Sequence, residues 1–265
     1  MRTAPTIPND PAIDISCVFS LCGNAASPGV RRDLPYLKAE YERLDVIASA
    51  QSTWTAARDG LSILEENQRL HELICRESAL FQWVVVDPYD RASFLQAEAM
   101  RSSPKVLGIR LPFSLRRRNI ADYMDSLLAF AAEQRTTLMV LPVQLPQLVN
   151  FAEKYPGVNV IVPQLCTERI DKECFAEAIS GLPNLYTDTS GNITTSNNSL
   201  EFVVETCGAE KVLFASGGES LAFEKARVLL SVLSPEEQQK ILLGNALSLF
   251  PELAGWLNSR KEALP

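Results

Sequence analysis

IDISCVFS, residues 13–20, is a short run rich in apolar and β-branched residues, and it predicts the first strand of the fold. Seven further runs of this kind follow, and segments with apolar residues at three-to-four spacing separate them. Strands that alternate with amphipathic helices predict a parallel sheet covered by helices. The predicted strands are Ala12–Val18, Asp45–Ala50, Phe81–Val86, Val106–Leu111, Leu138–Val143, Val158–Pro163, Leu185–Asp188 and Lys211–Ser216.

Eight strand–helix alternations in 265 residues favour an α/β fold of the (β/α)8 TIM-barrel type over an open doubly wound sheet. The turn after the first strand, CGNAASPG (22–29), is not a Gly-x-Gly-x-x-Gly turn. We expect one barrel domain over residues 1–265, with an extended N-terminal segment at 1–11 and extra C-terminal helices in an extension at 234–265. Ser234 followed by Pro235 is a typical helix start.

Charge and composition exclude several classes of partner. The net charge of -7 and the pI near 5.0 oppose binding to nucleic acid or to an anionic membrane. No apolar run approaches the length of about 18 residues that a spanning helix needs. Six cysteines are scattered without close pairs, which predicts reduced thiols. We therefore expect a cytoplasmic protein that binds neither nucleic acid nor membrane.

Five stretches resemble, in order, segments of the amidohydrolase-related (amidohydrolase 2) family of TIM-barrel metal-dependent hydrolases in the amidohydrolase superfamily. IDISCVFS occupies the place of that family's first strand, which ends in Asp-x-His-x-His. The resemblance spans most of the chain and implies the barrel fold. The other four stretches are YPGVNVIVPQL (155–165), LPNLYTDTSG (182–191), KVLFASGGES (211–220) and ILLGNALSLF (241–250).

The resemblance also implies where the family's metal ligands would lie, and this chain has replaced every one of them. In the family, histidines and a last-strand aspartate hold one or two metal ions. The matching positions here are Ser16, Val18, Leu141 or Pro142, Gln164 and Gly217. The family's hydrolytic mechanism is therefore expected to be absent, and we predict no metal and no other cofactor.

The histidine count supports the same conclusion without any alignment. The chain has one histidine, so it cannot build a site with two or three imidazole ligands. That residue, His71, falls in a predicted outer helix, away from the strand ends where barrels carry out chemistry. We interpret His71 as an ordinary surface or packing residue.

Polar residues remain at the predicted barrel mouth, which is the end of the barrel where the carboxyl ends of the strands meet. Side chains alternate along a strand, so if Ser16 and Val18 point inward, Asp14 does too, whereas Cys17 faces the helices. A mouth of this composition could hold a small anionic ligand; alternatively, Asp14 and Arg110 form an internal ion pair that fills the barrel. The ligand-binding candidates are Asp14, Ser16, Arg110, Gln164, Asp188, Ser190 and Glu219.

Two weaker features lie near the same end of the barrel. Cys22 and Cys166 could approach each other near Asp188, but their spacing resembles no known zinc pattern. Arg116, Arg117 and Arg118 follow the fourth strand, and three adjacent residues cannot share one helix face, so most of this charge is expected to be solvated.

Three functions remain open at this point. The first is a non-catalytic barrel that binds a small molecule or acts as a regulatory or structural subunit. The second is a metal-independent hydrolase or lyase for a small carboxylate or lactone, with Asp14, Asp188 or Glu219 as general base and Arg110 anchoring the anion. The third is hydrolysis through an unorthodox metal site. A homodimer or a partner protein is compatible with all three.

Overall fold

The computed structural model describes residues 10–21, 33–113, 121–140, 145–164, 169–191, 198–218 and 220–262. Eight parallel strands form one sheet in which each strand pairs with the next along the chain. The strands are β1 (Ala12–Phe19), β2 (Val46–Thr53), β3 (Leu80–Val85), β4 (Val106–Arg110), β5 (Thr137–Met139), β6 (Val160–Val162), β7 (Leu185–Asp188) and β8 (Val212–Leu213).

Backbone hydrogen bonds between the first and last strands bring the sheet round into a barrel. The amide of Ile15 donates to the carbonyl of Phe214 at 3.0 Å, and the amide of Gly217 donates to the carbonyl of Ser16 at 2.9 Å. These two bonds join the middle of β1 to the segment just after β8. The predicted (β/α)8 barrel is thus confirmed.

Helices follow the strands and cover the outside of the barrel. Two π-helical turns, Thr55–Asp59 after β2 and Lys240–Gly244 near the C-terminus, interrupt this pattern. The helices are α1 (Leu34–Arg43), α2 (Ile63–Ile74), α3 (Arg91–Met100), α4 (Ala121–Glu133), α5 (Leu145–Lys154), α6 (Arg169–Gly181), α7 (Ser199–Cys207), α8 (Leu221–Leu229), α9 (Pro235–Gln239), α10 (Asn245–Leu249) and α11 (Pro251–Glu262). The extra helices predicted at the C-terminus are α9 to α11.

The helix starts follow the capping signals in the sequence. The Asp90 carboxylate accepts from the amide of Ala92 at 2.9 Å and so caps α3. Ser234 and Glu237 form a reciprocal capping box at the start of α9, with Pro235 at its first position. These local bonds satisfy amides that have no partner inside the helix.

β6 and β8 are both shorter than their apolar runs suggest. β6 ends at Val162 because Pro163 has no amide hydrogen to donate to the ladder. β8 ends at Leu213 because the next two amides find other acceptors: Phe214 donates to the carbonyl of Ile241, and Ala215 donates to the Thr189 hydroxyl. Strand length here depends on tertiary acceptors as well as on residue type.

The apolar residues form two main layers. The outer cluster packs the helices on the strands and contains Cys17 and Phe19 of β1. The inner cluster fills the barrel around Trp83, whose indole nitrogen donates to the carbonyl of Ile15 at 2.6 Å. Phe250 stacks edge-on against Trp83 with ring centroids 5.7 Å apart. The chain just before α11 therefore closes the N-terminal end of the barrel.

Across the described ranges, no helix combines the length and the apolar character needed to cross a bilayer. The N-terminal segment expected at 1–11 is described only from residue 10 onward.

Gly255 lies in the interior of α11, where a Cβ would meet no atom within 4 Å. Gly255→Ala is expected to raise the free energy of unfolding by about 0.5–1 kcal/mol, because alanine loses less backbone entropy in a helix than glycine does. Urea unfolding measures the change. A decrease in stability would show that α11 is not a regular helix at this position.

Candidate functional site

A β-bulge in β1 decides which side chains of the first strand face the barrel interior. The register against β2 shifts between Asp14 and Cys17. Ile13 and Ile15 belong to the inner cluster, whereas Cys17 belongs to the outer one. Asp14 therefore lies on the same side of the sheet as Cys17. The expectation that Asp14 points into the barrel is wrong, because one extra residue in the strand reverses the alternation.

Asp14 is fully buried and its carboxylate is occupied by neighbouring donors. One oxygen accepts from the amides of Ser16 at 3.1 Å and Ser216 at 3.0 Å, and the other accepts from the Ser216 hydroxyl at 2.5 Å. Burial raises the pKa of Asp14 to about 6, although these hydrogen bonds oppose the rise. Asp14 forms no ion pair with Arg110, so the alternative of an internal ion pair between them is wrong. Asp14 instead ties β1 to Ser216 in the segment just after β8.

Arg110 ends β4 and is the buried cation of the barrel mouth. Its side chain is 2% exposed, and one terminal nitrogen donates to the Ser52 hydroxyl at 3.4 Å. Its Nε has no hydrogen-bond partner within the part of the chain that the structure describes. Burial and the charge of Arg58 lower the pKa of Arg110 to about 10, and the Asp188 charge opposes this. A buried guanidinium with such weak protein contacts is poised to bind an anion.

The Phe113 ring adjoins two guanidinium groups at the mouth. The Arg58 carbon Cζ lies 4.1 Å from the ring centroid, and the Arg110 Cζ lies 5.5 Å from it. Arg58 comes from the π-helical turn after β2 and also lies over Trp54. These cation–π contacts orient both arginines at one side of the mouth.

Asp188, at the end of β7, supplies the buried carboxyl group of the mouth. One of its oxygens accepts from the amide of Gln164 at 3.2 Å and from the amide and hydroxyl of Ser190 at 3.0 and 2.6 Å. The other oxygen, Oδ2, is buried and has no partner among the described residues. Burial raises the pKa of Asp188 and outweighs the hydrogen bonds and the Arg110 charge. An unpartnered oxygen on a carboxyl group with a raised pKa can exchange a proton with a ligand.

The remaining predicted residues have different positions. The Ser16 hydroxyl donates to the Met139 sulfur at 3.7 Å and so faces the barrel interior. Ser190 is buried against Asp188, and the half-buried Gln164 has a positive φ of 55° and lies against Gly191. Glu219 lies outside the described residues, as do Cys22, Cys166, Leu141, Pro142 and the residues 116–118.

The described residues do not fit the metal site that the family resemblance implies. Val18 packs in an apolar cluster with Ala56, Ile63 and Val85, and Gly217 has no side chain to offer. The Ser16 hydroxyl donates to the Met139 thioether sulfur and so does not serve as a metal ligand. Within the described ranges no three His, Cys, Asp or Glu side chains come together as a metal-binding group. No step of a reaction can be assigned to a metal at these positions.

His71 lies on α2, as the sequence predicted. Its Nδ1 is 2.8 Å from the Gln82 amide oxygen, and its Nε2 is 3.7 Å from the Cys75 sulfur. Both partners belong to the helix and strand layers outside the barrel interior. The single imidazole is therefore a packing residue and takes no part in the mouth.

Sequence reasoning missed three residues of the mouth. Ser52 is a partner of Arg110, and Phe113 and Arg58 surround it. Ala48 and Ala50 of β2 both belong to the inner cluster. Because every second side chain of a strand faces the same side, this alternation could have predicted that Ser52 also faces inward. Arg58 had no such signal, because its position depends on a π-helical turn that local periodicity does not predict.

An eight-stranded parallel barrel covered by helices defines a protein of the TIM-barrel class. The model of the amidohydrolase family Amidohydro_2 matches residues 48–251, and the chain belongs to this family. No protein with a curated description matches it.

Several solved structures share the fold. Amidohydrolase 2 from Bifidobacterium longum subsp. infantis is 20% identical, with a TM-score of 0.67 over 91% of this chain and 98% of that chain. The 5-carboxyvanillate decarboxylase from Sphingomonas paucimobilis is 12% identical, with a TM-score of 0.69 over 91% and 99%. A dihydroxybenzoic acid decarboxylase from Polaromonas sp. JS666, with bound manganese and 2-nitroresorcinol, is 14% identical, with a TM-score of 0.67 over 91% and 97%.

Proposed function

We propose that this protein is a non-catalytic member of the amidohydrolase family that binds a small carboxylate at its barrel mouth. The observation that carries the proposal is Arg110, a buried guanidinium that makes one long hydrogen bond and leaves its Nε without a partner in the described structure. A cation in this environment costs free energy unless an anion neutralises it. A carboxylate ligand would supply that anion and two acceptor oxygens.

Two further observations support a ligand of this class. The open Oδ2 of Asp188 offers a second polar contact, which suits a ligand that carries a hydroxyl group as well as a carboxylate. Two neighbours of the same fold are named as decarboxylases of 5-carboxyvanillate and dihydroxybenzoic acid, which are small aromatic carboxylates. The absence of ligating side chains at Ser16, Val18 and Gly217 supports loss of the family's metal chemistry.

Arg110→Gln is expected to weaken binding of such a carboxylate at least about tenfold, since it removes a charge-assisted contact worth about 1.5–3 kcal/mol. Isothermal titration with 2,6-dihydroxybenzoate, benzoate and lactate measures the dissociation constants, and benzamide serves as the uncharged analogue. Arg91→Gln, which removes an exposed arginine on α3, is the matched control. If no carboxylate binds the parent protein, or if Arg110→Gln leaves binding unchanged, the proposal is wrong.

The second candidate is a metal-independent hydrolase or lyase, and the raised pKa and open oxygen of Asp188 favour it. In lactone hydrolysis, the Asp188 carboxylate would take a proton from a water molecule as that water attacks the carbonyl carbon, while Arg110 holds the anionic part of the substrate. The ring C–O bond would then break, and the leaving alkoxide would take the proton back from Asp188 to give the hydroxy acid. Asp14 is not a candidate base, because both its carboxylate oxygens already accept hydrogen bonds from Ser16 or Ser216 and it lies outside the barrel interior.

Turnover assays separate the two candidates. Lactones and the carboxylates above are incubated with protein purified without chelator, whose zinc, manganese and iron contents are measured first. Turnover that disappears in Asp188→Asn would support the second candidate and contradict the first. Binding without turnover supports the first, and a stoichiometric metal would contradict both.

A further inference from the structure

A recess lies at the opposite end of the barrel from the mouth. It has a volume of about 250 Å³ and lies among the N-terminal ends of β4, β5 and β6 and the start of α11. None of its residues belongs to the mouth described above. Its polar lining consists of Arg101, Arg135, Thr136, Thr137, Asn159 and Glu252.

Two polar groups of this lining are buried without a partner. The Thr136 side chain is 6% exposed, and its hydroxyl makes no hydrogen bond within the described residues. The Nε of Arg101 is also buried and unpaired there. Buried donors are nearly always satisfied in folded proteins, so these two groups are the donors that a group bound in the recess would complete.

The charges around the recess favour an anion. Arg101 and Arg135 supply two positive charges, and Glu252 supplies one negative charge at 3.7 Å from the Arg101 guanidinium. A terminal nitrogen of Arg101 also donates to the carbonyl of Arg135 at 3.1 Å, which fixes its plane against the recess. The N-terminus of α11, a helix of 12 residues, lies at the same place and adds a partial positive charge.

We propose that this recess binds a phosphate group, either inorganic phosphate or the phosphate of a small ester, through Arg101, Arg135 and the Thr136 hydroxyl. A tetrahedral oxyanion presents acceptor oxygens in several directions, which matches donors that come from two arginines and a hydroxyl on different elements. The volume of about 250 Å³ admits a phosphate with a few bound waters. The site is distinct from the mouth and does not depend on the function proposed for it.

Phosphate binding is measured by isothermal titration of the full chain with inorganic phosphate and, in a second arm, with glycerol 3-phosphate. Sodium chloride of matched ionic strength is the blank. We expect Arg135→Gln and Thr136→Val each to weaken phosphate binding about tenfold. Thr136→Val keeps the shape of the side chain and removes an unpaired buried hydroxyl, so it is expected to fold.

Arg110→Gln separates this recess from the mouth, since phosphate could also bind the buried guanidinium there. Binding that survives Arg110→Gln and weakens in both recess variants supports the proposal. Binding that is lost in Arg110→Gln alone, or no heat beyond the chloride blank, would overturn it. If only glycerol 3-phosphate binds, the ligand is an ester; if both bind equally, the phosphate group alone is recognised.

Discussion

Gly108→Ala is expected to destabilise the protein by about 3 kcal/mol or more, because the barrel has no space for a methyl group at this position. A Cβ at residue 108 would lie 2.3 Å from the backbone oxygen of Thr137 and 2.6 Å from the Trp83 ring. The oxygen belongs to the neighbouring strand β5, so it cannot move without breaking the ladder. Urea unfolding measures the loss in the free energy of unfolding.

Gly157→Ala is the matched control for this change. A Cβ at residue 157 would meet no atom within 4 Å, so its effect is expected to stay within about 0.5 kcal/mol. Equal stabilities of the two variants would show that β4 and β5 do not approach as closely as described. Because Arg110 lies two residues after Gly108 on β4, a displaced strand is also expected to weaken carboxylate binding at the mouth.

Asp14→Ala is expected to destabilise the protein by about 3 kcal/mol, since it leaves two buried amides and one hydroxyl without their acceptor. Asp14→Asn has the same shape and keeps an acceptor oxygen for the amides, so its cost is expected to be much smaller. Urea unfolding at neutral pH compares the two variants. If both lose the same stability, the carboxylate does not join β1 to β8 in this way.

The pH dependence of stability provides a second measurement on Asp14. Its pKa of about 6 in the folded protein lies above the ordinary value of 3.8, so the folded state holds the proton more tightly than the unfolded state does. The stabilisation that comes from protonated Asp14 is therefore complete below about pH 4. The free energy of unfolding falls by about 3 kcal/mol as the pH rises through 6 and Asp14 loses its proton. The pKa of Asp188 is also raised by burial, so Asp188 likewise lowers the free energy of unfolding as the pH rises.

Asp14→Asn removes only the Asp14 contribution to this pH dependence. The difference in the free energy of unfolding between Asp14→Asn and the parent is expected to shift in favour of the variant between pH 4 and pH 7. Cys17 and Tyr41, which face Asp14, have raised pKa values because of burial and do not titrate in this range. A pH-independent difference would contradict the raised pKa of Asp14.

Much of the candidate site was predictable from residue types and strand order. Arg110 and Asp188 follow apolar strands, and the ends of parallel strands meet at one edge of a barrel. What could not be predicted was how each group is paired. Asp14 was assigned to the interior by strict alternation, and the bulge in β1 placed it against Ser216 instead. The hydrogen bonds of Asp14 depend on Ser216, which lies about 200 positions away in the chain.

Two properties were determined by the sequence alone. The alternation of apolar runs and amphipathic segments specified the barrel, because side-chain periodicity is a local property of the chain. A single histidine ruled out an imidazole-rich metal site in any fold.

Only the tertiary structure decided which buried polar atoms lack a hydrogen-bond partner among the described residues. Arg110 at the mouth and Arg101 with Thr136 at the opposite end became candidate binding groups only when packing fixed their neighbours. The physical reason is that desolvation and hydrogen bonding depend on every atom around a group, and those atoms come from strands and helices far apart in the chain.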